Sequence, residues 1–531
     1  MNASHPVTET RLRWLIFGIA TLVVLSWIPY LQILSKGPSY GDEGLIAQSA
    51  YRIYQGQVPF RDFFSAITPG SYYWSSFFMK AFGPTFLALR LGALLSMAIV
   101  LLSTLIVIRK FDIKSAGPFL IVGSYLAYYG GPYWFVASHH WVSGALCIVS
   151  FLLLLPSDDE QPTRASVVAA GAAAAAAAFS LQHQGVLWIL SATAAFWAFP
   201  KSSRISLAGW FWSGALIFTV PVVGLLVSFA GWQPLIYDLV VFPLKQYHKI
   251  EGHQGVISRY IQETWQQISS AWQFRSSLID WLRITAWNLG FVGHIIVHLL
   301  PFIGLAALAY LWKARVHSRD QLACLTAFFV AKYLTSLNRL SDTSLAFAAP
   351  AAVIAVALAL HAIRRKEEPW QKLVRYVQGA WILLFIAVAA AYFALTALSP
   401  KATTFTPAGP VHSLYSGEYE TMEGVNSFFR TEWRPNEPVF CFPYAPMFYF
   451  LFHSSNPTPY DTLTYPMHTQ AQLDEAQALL EKRNCRWVIW NYSQLGDNSF
   501  DRFLADNFTI KAQFKYAAIL EKRRNIRALH K

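Results

Sequence analysis

Apolar residues in this chain come in long unbroken runs rather than in strict alternation. About eleven runs approach or reach the roughly 20 residues that carry a helix across a hydrocarbon layer. They lie near 14–34, 84–108, 115–130, 141–155, 166–180, 185–199, 206–230, 289–312, 321–337, 344–362 and 378–398. The pattern changes after residue 400. Pro438-Val439-Phe440-Cys441-Phe442 and Arg486-Trp487-Val488-Ile489-Trp490 are short, rich in β-branched and aromatic residues, and expected as buried strands. Between them Leu473, Ala476, Leu479 and Leu480 keep helical spacing over 471–483, which predicts a strand–helix–strand unit. The expected fold is mainly α: a polytopic transmembrane helical bundle over 1–399, with outer loop 35–83, followed by a small α/β domain over 400–531.

Composition agrees with a membrane chain. Of 531 residues 55% are hydrophobic and 13% charged, where a soluble domain carries about 25% charged residues. The first run follows Arg11 and Arg13, is long enough to span, and has no small-residue cleavage pattern after it, so it reads as a retained anchor. Basic residues gather in alternate loops: Arg109, Lys110 and Lys114; Lys201 and Arg204; Lys313, Arg315 and Arg319; Arg364 to Lys366, Lys372 and Arg375. Segments 130–140 and 181–184 carry none. This bias puts the N-terminus in the cytoplasm and, with an odd number of spans, places loop 35–83 and the tail outside. The tail holds 14 Lys and Arg against 13 Asp and Glu, so the net +13 of the chain belongs almost wholly to the membrane part. The basic balance is therefore a topology signal and not a nucleic-acid signal.

Cysteine is scarce. Cys147 and Cys324 fall within spans; Cys441 and Cys485 fall at the ends of the two expected strands, where either a disulfide or two separate buried thiols is compatible with the sequence. Ala172 to Ala178 reads as a small-residue face for close helix packing.

The chemistry gathers in the first outer loop. Tyr40-Gly41-Asp42-Glu43-Gly44 sets two carboxylates where the chain leaves the first run. Ile46, Ala50, Ile53 and Tyr54 then follow helical spacing up to Gly56, predicting a helix of three to four turns lying on the membrane surface. Pro59-Phe60-Arg61-Asp62-Phe63-Phe64 and Thr68-Pro69-Gly70-Ser71-Tyr72-Tyr73-Trp74 continue as an aromatic, Pro-punctuated stretch. Asp42 has two readings: an N-cap of the helix, for which the box is incomplete because Leu45 stands three residues on, or a catalytic acid. Arg61 and Asp62 likewise read as a second site acid with its neighbour or as an exposed ion pair.

With Phe82-Gly83 and Leu89-Arg90-Leu91 opening the second run, this order of motifs resembles the GT-C superfamily of integral-membrane glycosyltransferases. Within it the chain looks like the branch of protein O-mannosyltransferases, lipid A aminoarabinose transferases and the related bacterial lipopolysaccharide-core transferases. The resemblance implies transfer of a sugar from a polyprenyl phosphate to an acceptor hydroxyl of an envelope glycolipid, polysaccharide or protein, on the outer face of a bacterial cytoplasmic membrane. It implies Asp42 as general base, with Glu43 beside it in the motif, and in some relatives a divalent cation at such a pair. A sugar hydroxyl is a poor nucleophile until a carboxylate orients it and takes its proton, and the departing lipid phosphate needs positive charge or donors. Relatives often carry a Lys where this chain has Gln182-His183-Gln184.

Other candidates cluster on the same side. Ser138-His139-His140-Trp141 and His183 read as site groups or as satisfied histidines at helix ends, and adjacent His139 and His140 point about 100° apart on a helix, so one metal would not take both from one face. Lys332, inside a span near its outer end, is either functional or snorkelling. Arg339 either grips a phosphate through paired donors or pairs with Asp342 in a turn. Loop 231–287, with Tyr237-Asp238 and many Trp residues, suits a lid or an interfacial helix. Two other functions remain as expectations to weigh. A transporter of lipid-linked glycans would carry charges deep in its spans and inverted repeats, and a non-catalytic assembly protein would not need the paired acids.

Overall fold

The computed structural model of the chain describes residues 37–111, 116–129, 137–157, 160–246, 278–337, 342–366, 368–398, 402–413, 416–465, 467–491 and 499–523. The first predicted span, 14–34, lies outside them. Each of the other ten predicted spans overlaps a helix.

In chain order the helices are α1 (Asp42–Tyr54), α2 (Gly70–Phe82), α3 (Phe86–Lys110), α4 (Ala116–Tyr129), α5 (His139–Leu154), α6 (Arg164–Ser180), α7 (Gln182–Ala195) and α8 (Arg204–Ala230). A broken segment follows: α9 (Trp232–Ile236), one π turn (Tyr237–Val241) and α10 (Phe242–Gln246). Then come α11 (Leu278–Ala314), α12 (Arg319–Ser336), α13 (Asp342–Lys366) and α14 (Glu368–Leu398). Four stretches among the described residues are long and apolar enough to cross a bilayer alone: Phe86–Lys110, Arg204–Ala230, Ile295–Ala314 and Ser344–Arg365. His139–Leu154 and Arg164–Ser180 are shorter apolar helices.

Side-chain size explains how these helices pack. A β-carbon at Gly171 of α6 would stand 1.8 Å from the Phe211 carbonyl oxygen, and one at Gly214 of α8 would stand 1.9 Å from that of Val168. The two backbones touch only because both residues are glycine. Ala174, Ala175 and Ala177 are buried on the small-residue helix. The other side of α8 carries exposed Leu216, Ile217, Val220 and Leu225, an outward apolar stripe suited to hydrocarbon. Polar residues fix the helix starts: the Thr85 hydroxyl accepts from Ala88 N at 3.2 Å, and Ser318 forms a reciprocal box with Gln321.

The tail contains β1 (Ala402–Thr406), β2 (Gly409–Ser413), α15 (Ser416–Thr431), β3 (Val439–Phe442), α16 (Met447–Leu451), α17 (Gln470–Lys482), β4 (Trp487–Asn491), α18 (Ser499–Asn507), β5 (Phe508–Gln513) and β6 (Ala517–Lys522). β3 and β4 are parallel, with Val439 opposite Trp487 and α17 in the crossover, as the spacing predicted. β6 and β5 extend the sheet antiparallel in the order β3-β4-β6-β5. Alternation sends Val439, Cys441, Trp487 and Ile489 to one face and Phe440, Phe442 and Val488 to the other, and Cys485, just ahead of β4, packs with the second group. Both cysteines are free and buried on opposite faces, and Cys441 is level with Ile489, so the two are not at equivalent strand ends and the disulfide reading is corrected.

The membrane-surface helix is corrected as well. α1 does not lie with one face open; Glu43, Gly44 and every residue from Ile46 to Ile53 are buried. Its apolar residues join α2, α3, α15, α16 and one sheet face in a single core. Backbone bonds stitch the same seam: Phe64 N to Pro459 O at 3.0 Å, Phe86 N to Ala408 O at 2.8 Å and Met447 N to Tyr40 O at 3.4 Å. Arg52 of α1 pairs with Asp461 of the tail at 2.8 Å, both side chains buried. The aromatic stretch after Pro69 is likewise a helix, α2, rather than a loop.

Candidate active site

The two motif acids have opposite environments. Gly41 takes the N-cap position of α1 without any side-chain cap, so Asp42 is the first helical residue and not the cap. Its side chain is exposed, and Tyr444 of the tail donates its hydroxyl to Asp42 Oδ1. Successive helical residues point about 100° apart, which turns Glu43 inward to complete burial. There Arg90 Nη2 donates to Glu43 Oε2 at 2.7 Å and Arg90 Nε closes on Oε1. Ser39 N and Ala137 N each donate to one oxygen at 3.0 Å. Glu43 is therefore a structural anion with both oxygens taken, which corrects its place beside Asp42 as a reacting group. A divalent cation shared by the pair does not fit: Glu43 has no oxygen to offer, and a guanidinium already neutralises it.

Arg61 and Asp62 form an exposed ion pair, the second of their two readings. Nε and Nη2 donate to the two carboxylate oxygens at 2.9 and 2.7 Å, and Val58 N adds a third bond at 2.7 Å. The Arg61 hydrogen bond, with help from the Val58 amide, holds the Asp62 carboxyl below its usual range. Neither residue contacts Asp42 or Glu43 by any hydrogen bond or ion pair described for it.

Ala137, which binds Glu43, leads directly into α5. Ser138 caps that helix by accepting from His140 N at 3.2 Å. The His139 and His140 rings lie 4.5 Å apart, and His140 stacks on Phe347 at 4.7 Å. Among the described residues no three His, Cys, Asp or Glu side chains come together as a metal site.

Below this turn His140, Trp141, Gly144, Phe328, Lys332 and Phe347 line a narrow cleft. Lys332 does not snorkel: its residue is 4% exposed and its side chain points into the bundle. The missing side chain of Gly144 leaves room for two donors, since a β-carbon there would lie 3.7 Å from Lys332 Nζ and 3.8 Å from Gln184 Nε2. Gln184 is buried, and its Nε2 finds no hydrogen-bond partner among the described residues. No carboxylate of the described residues pairs with Lys332. Half-buried His183 stands within electrostatic reach of it. A buried cation thus stands near His183 on a different helix, a proximity that sequence spacing could not reveal. Arg339 lies outside the described residues, and of Asp342 only its place at the start of α13 is described.

The π turn brings in Asp238, which the sequence names only as part of loop 231–287. Asp238, 6% exposed, accepts from Ser65 N at 3.3 Å. Burial pushes its carboxyl up to about 7, against the pull of the Ser65 amide. Phe242 of α10 packs edge-on against Phe64 at 4.8 Å. The described part of loop 231–287 is thus docked on loop 35–83.

No known family model matches the chain, and no curated protein is similar to it in sequence. Solved structures are. Two forms of ArnT from Cupriavidus metallidurans superpose with a TM-score of 0.58 each. The form bound to undecaprenyl phosphate is 14% identical and covers 96% of this chain and 98% of its own; the apo form is 15% identical over 95% and 98%. ArnT is a lipid A aminoarabinose transferase of the GT-C superfamily. The chain has the ArnT fold, from α1 through the bundle to the tail sheet.

Proposed function

We propose that this protein is a GT-C glycosyltransferase that moves a sugar from a polyprenyl phosphate to an acceptor hydroxyl at the outer membrane–water boundary, with Asp42 as general base. The carrying observation is the split between neighbours: Glu43 is locked to Arg90 inside, while Asp42 is left in the open with one oxygen unengaged. That a structure of the same fold is bound to undecaprenyl phosphate supports the donor class.

The reaction is a single displacement. The acceptor oxygen attacks the anomeric carbon, its proton passes to Asp42, and the bond from that carbon to the phosphate oxygen breaks with its electrons leaving on the phosphate. Attack opposite the leaving group inverts the anomeric centre. Developing phosphate charge calls for fixed donors in a water-poor site, and Lys332 and Gln184 are such donors. The first turn of α5 joins the two regions, because Ala137 holds Glu43 and His140 lines the Lys332 cleft. The basic inner loops support an outward-facing site. Transfer by an Asp42→Asn variant, compared with the wild-type chain, tests this reading.

A further inference from the structure

The tail reaches the candidate base through Tyr444, which sits in the turn between β3 and α16 and donates to Asp42 Oδ1. Two glycines make this approach possible. A β-carbon at Gly41 would stand 2.2 Å from Tyr444 Cε1 and 2.5 Å from Cδ1. One at Gly44 would stand 2.5 Å from the Met447 backbone nitrogen. Being three residues apart around the start of α1, both glycines face the tail. Tyr40 O accepts from Met447 N, and the Tyr40 ring packs on Phe448 at 5.0 Å. The phenol is therefore carried to Asp42 by packed backbone on both sides, not by a side chain free to swing in water. The Gly44 clearance serves helix packing. The Gly41 clearance serves the phenol ring, whose polar end meets an exposed carboxylate.

We infer that Tyr444 is a positioning residue for Asp42, an inference that rests on the transferase reading. By holding Oδ1 it fixes the plane of an otherwise exposed carboxylate and leaves Oδ2, which bonds no described residue, to receive the proton of the acceptor. A base must stand within hydrogen-bond reach of the proton it takes, and misplacement by about 1 Å costs about a hundredfold in rate. The site is then shared between the membrane bundle and the tail.

The test uses the full chain in nanodiscs with a radiolabelled polyprenyl-phosphate pentose or hexose as donor and envelope lipid as acceptor. Tyr444→Phe should lower kcat by about ten- to a hundredfold with the donor KM unchanged. In an Asp42→Asn background the same change should cost nothing further, because Tyr444 acts through Asp42. Wild-type kcat in Tyr444→Phe, or a loss that multiplies with that of Asp42→Asn, overturns the inference. A second readout needs no turnover: 3-fluorotyrosine placed at 444 should shift its fluorine resonance in Asp42→Asn, and an unmoved resonance overturns the contact. If the wild-type chain transfers none of these sugars, the transferase reading fails and takes the positioning role with it, whatever the resonance does.

Discussion

Glu43 and Arg90 form a closed ion pair between α1 and α3, 47 residues apart in sequence, with Arg90 Nη2 at 2.7 Å from Glu43 Oε2. The remaining lone pairs of the carboxylate are met by the Ser39 and Ala137 amides. One buried residue thus gathers the start of α1, the second turn of α3 and the approach to α5. The exposed acid beside it inherits a fixed backbone.

Breaking this pair from one side should be costly, since removing one partner of a buried ion pair leaves an uncompensated charge worth about 3–5 kcal/mol. Arg90→Met alone should unfold much earlier than the wild-type chain in a detergent thermal melt. Glu43→Leu together with Arg90→Met should recover most of the loss, because the buried charge is gone. Single variants that melt like the wild type would refute a structural role.

Asp238 gives a pH prediction. Its folded value, about 7, lies above the ordinary carboxyl value because burial disfavours the charge. A raised carboxyl favours folding most when protonated in both states. Docking of residues 232–246 should therefore be tightest below about pH 4 and weaken as pH rises toward 7, by an amount on the order of a few kcal/mol. Hydrogen-exchange protection of that segment should fall across this window, and Asp238→Asn should flatten the trend. Protection that rises with pH would contradict the assignment.

Much of this was readable from the chain, and the rest failed for one physical reason. Apolar length located ten helices because hydrocarbon imposes that length whatever the neighbours are. The β3–α17–β4 unit was legible because its periodicity is local. The partners of α1 were not legible: Gly44 meets Met447, Arg52 meets Asp461 and Asp42 meets Tyr444, each about 400 residues away. A surface helix and a doubly buried one share the same inward stripe. What distinguished them was the buried polar set Gln48, Ser49 and Arg52 on the supposedly wet face. Arg90 had been visible as a charge between two leucines, but nothing local named Glu43 as its partner.

Lys332 should act on the donor rather than on the acceptor. A hydrogen bond involving a charged group contributes about 1.5–3 kcal/mol, or roughly ten- to a hundredfold in affinity. Lys332→Met should weaken undecaprenyl phosphate binding in nanodiscs by that factor, and Gln184→Leu by less. Asp42→Asn should bind it normally. Unchanged affinity in Lys332→Met would return that lysine to a packing role.

Removal of the acceptor proton by Asp42 shows itself in steady-state sugar transfer by Asp42→Asn in nanodiscs, with donor binding measured on the same sample. Asparagine keeps the size of the side chain but cannot take a proton, and loss of a general base removes about 10²–10⁴ in rate. If Asp42 is the base, kcat falls by that factor while undecaprenyl phosphate affinity and melting temperature stay at wild-type values. Turnover at the wild-type rate would contradict it.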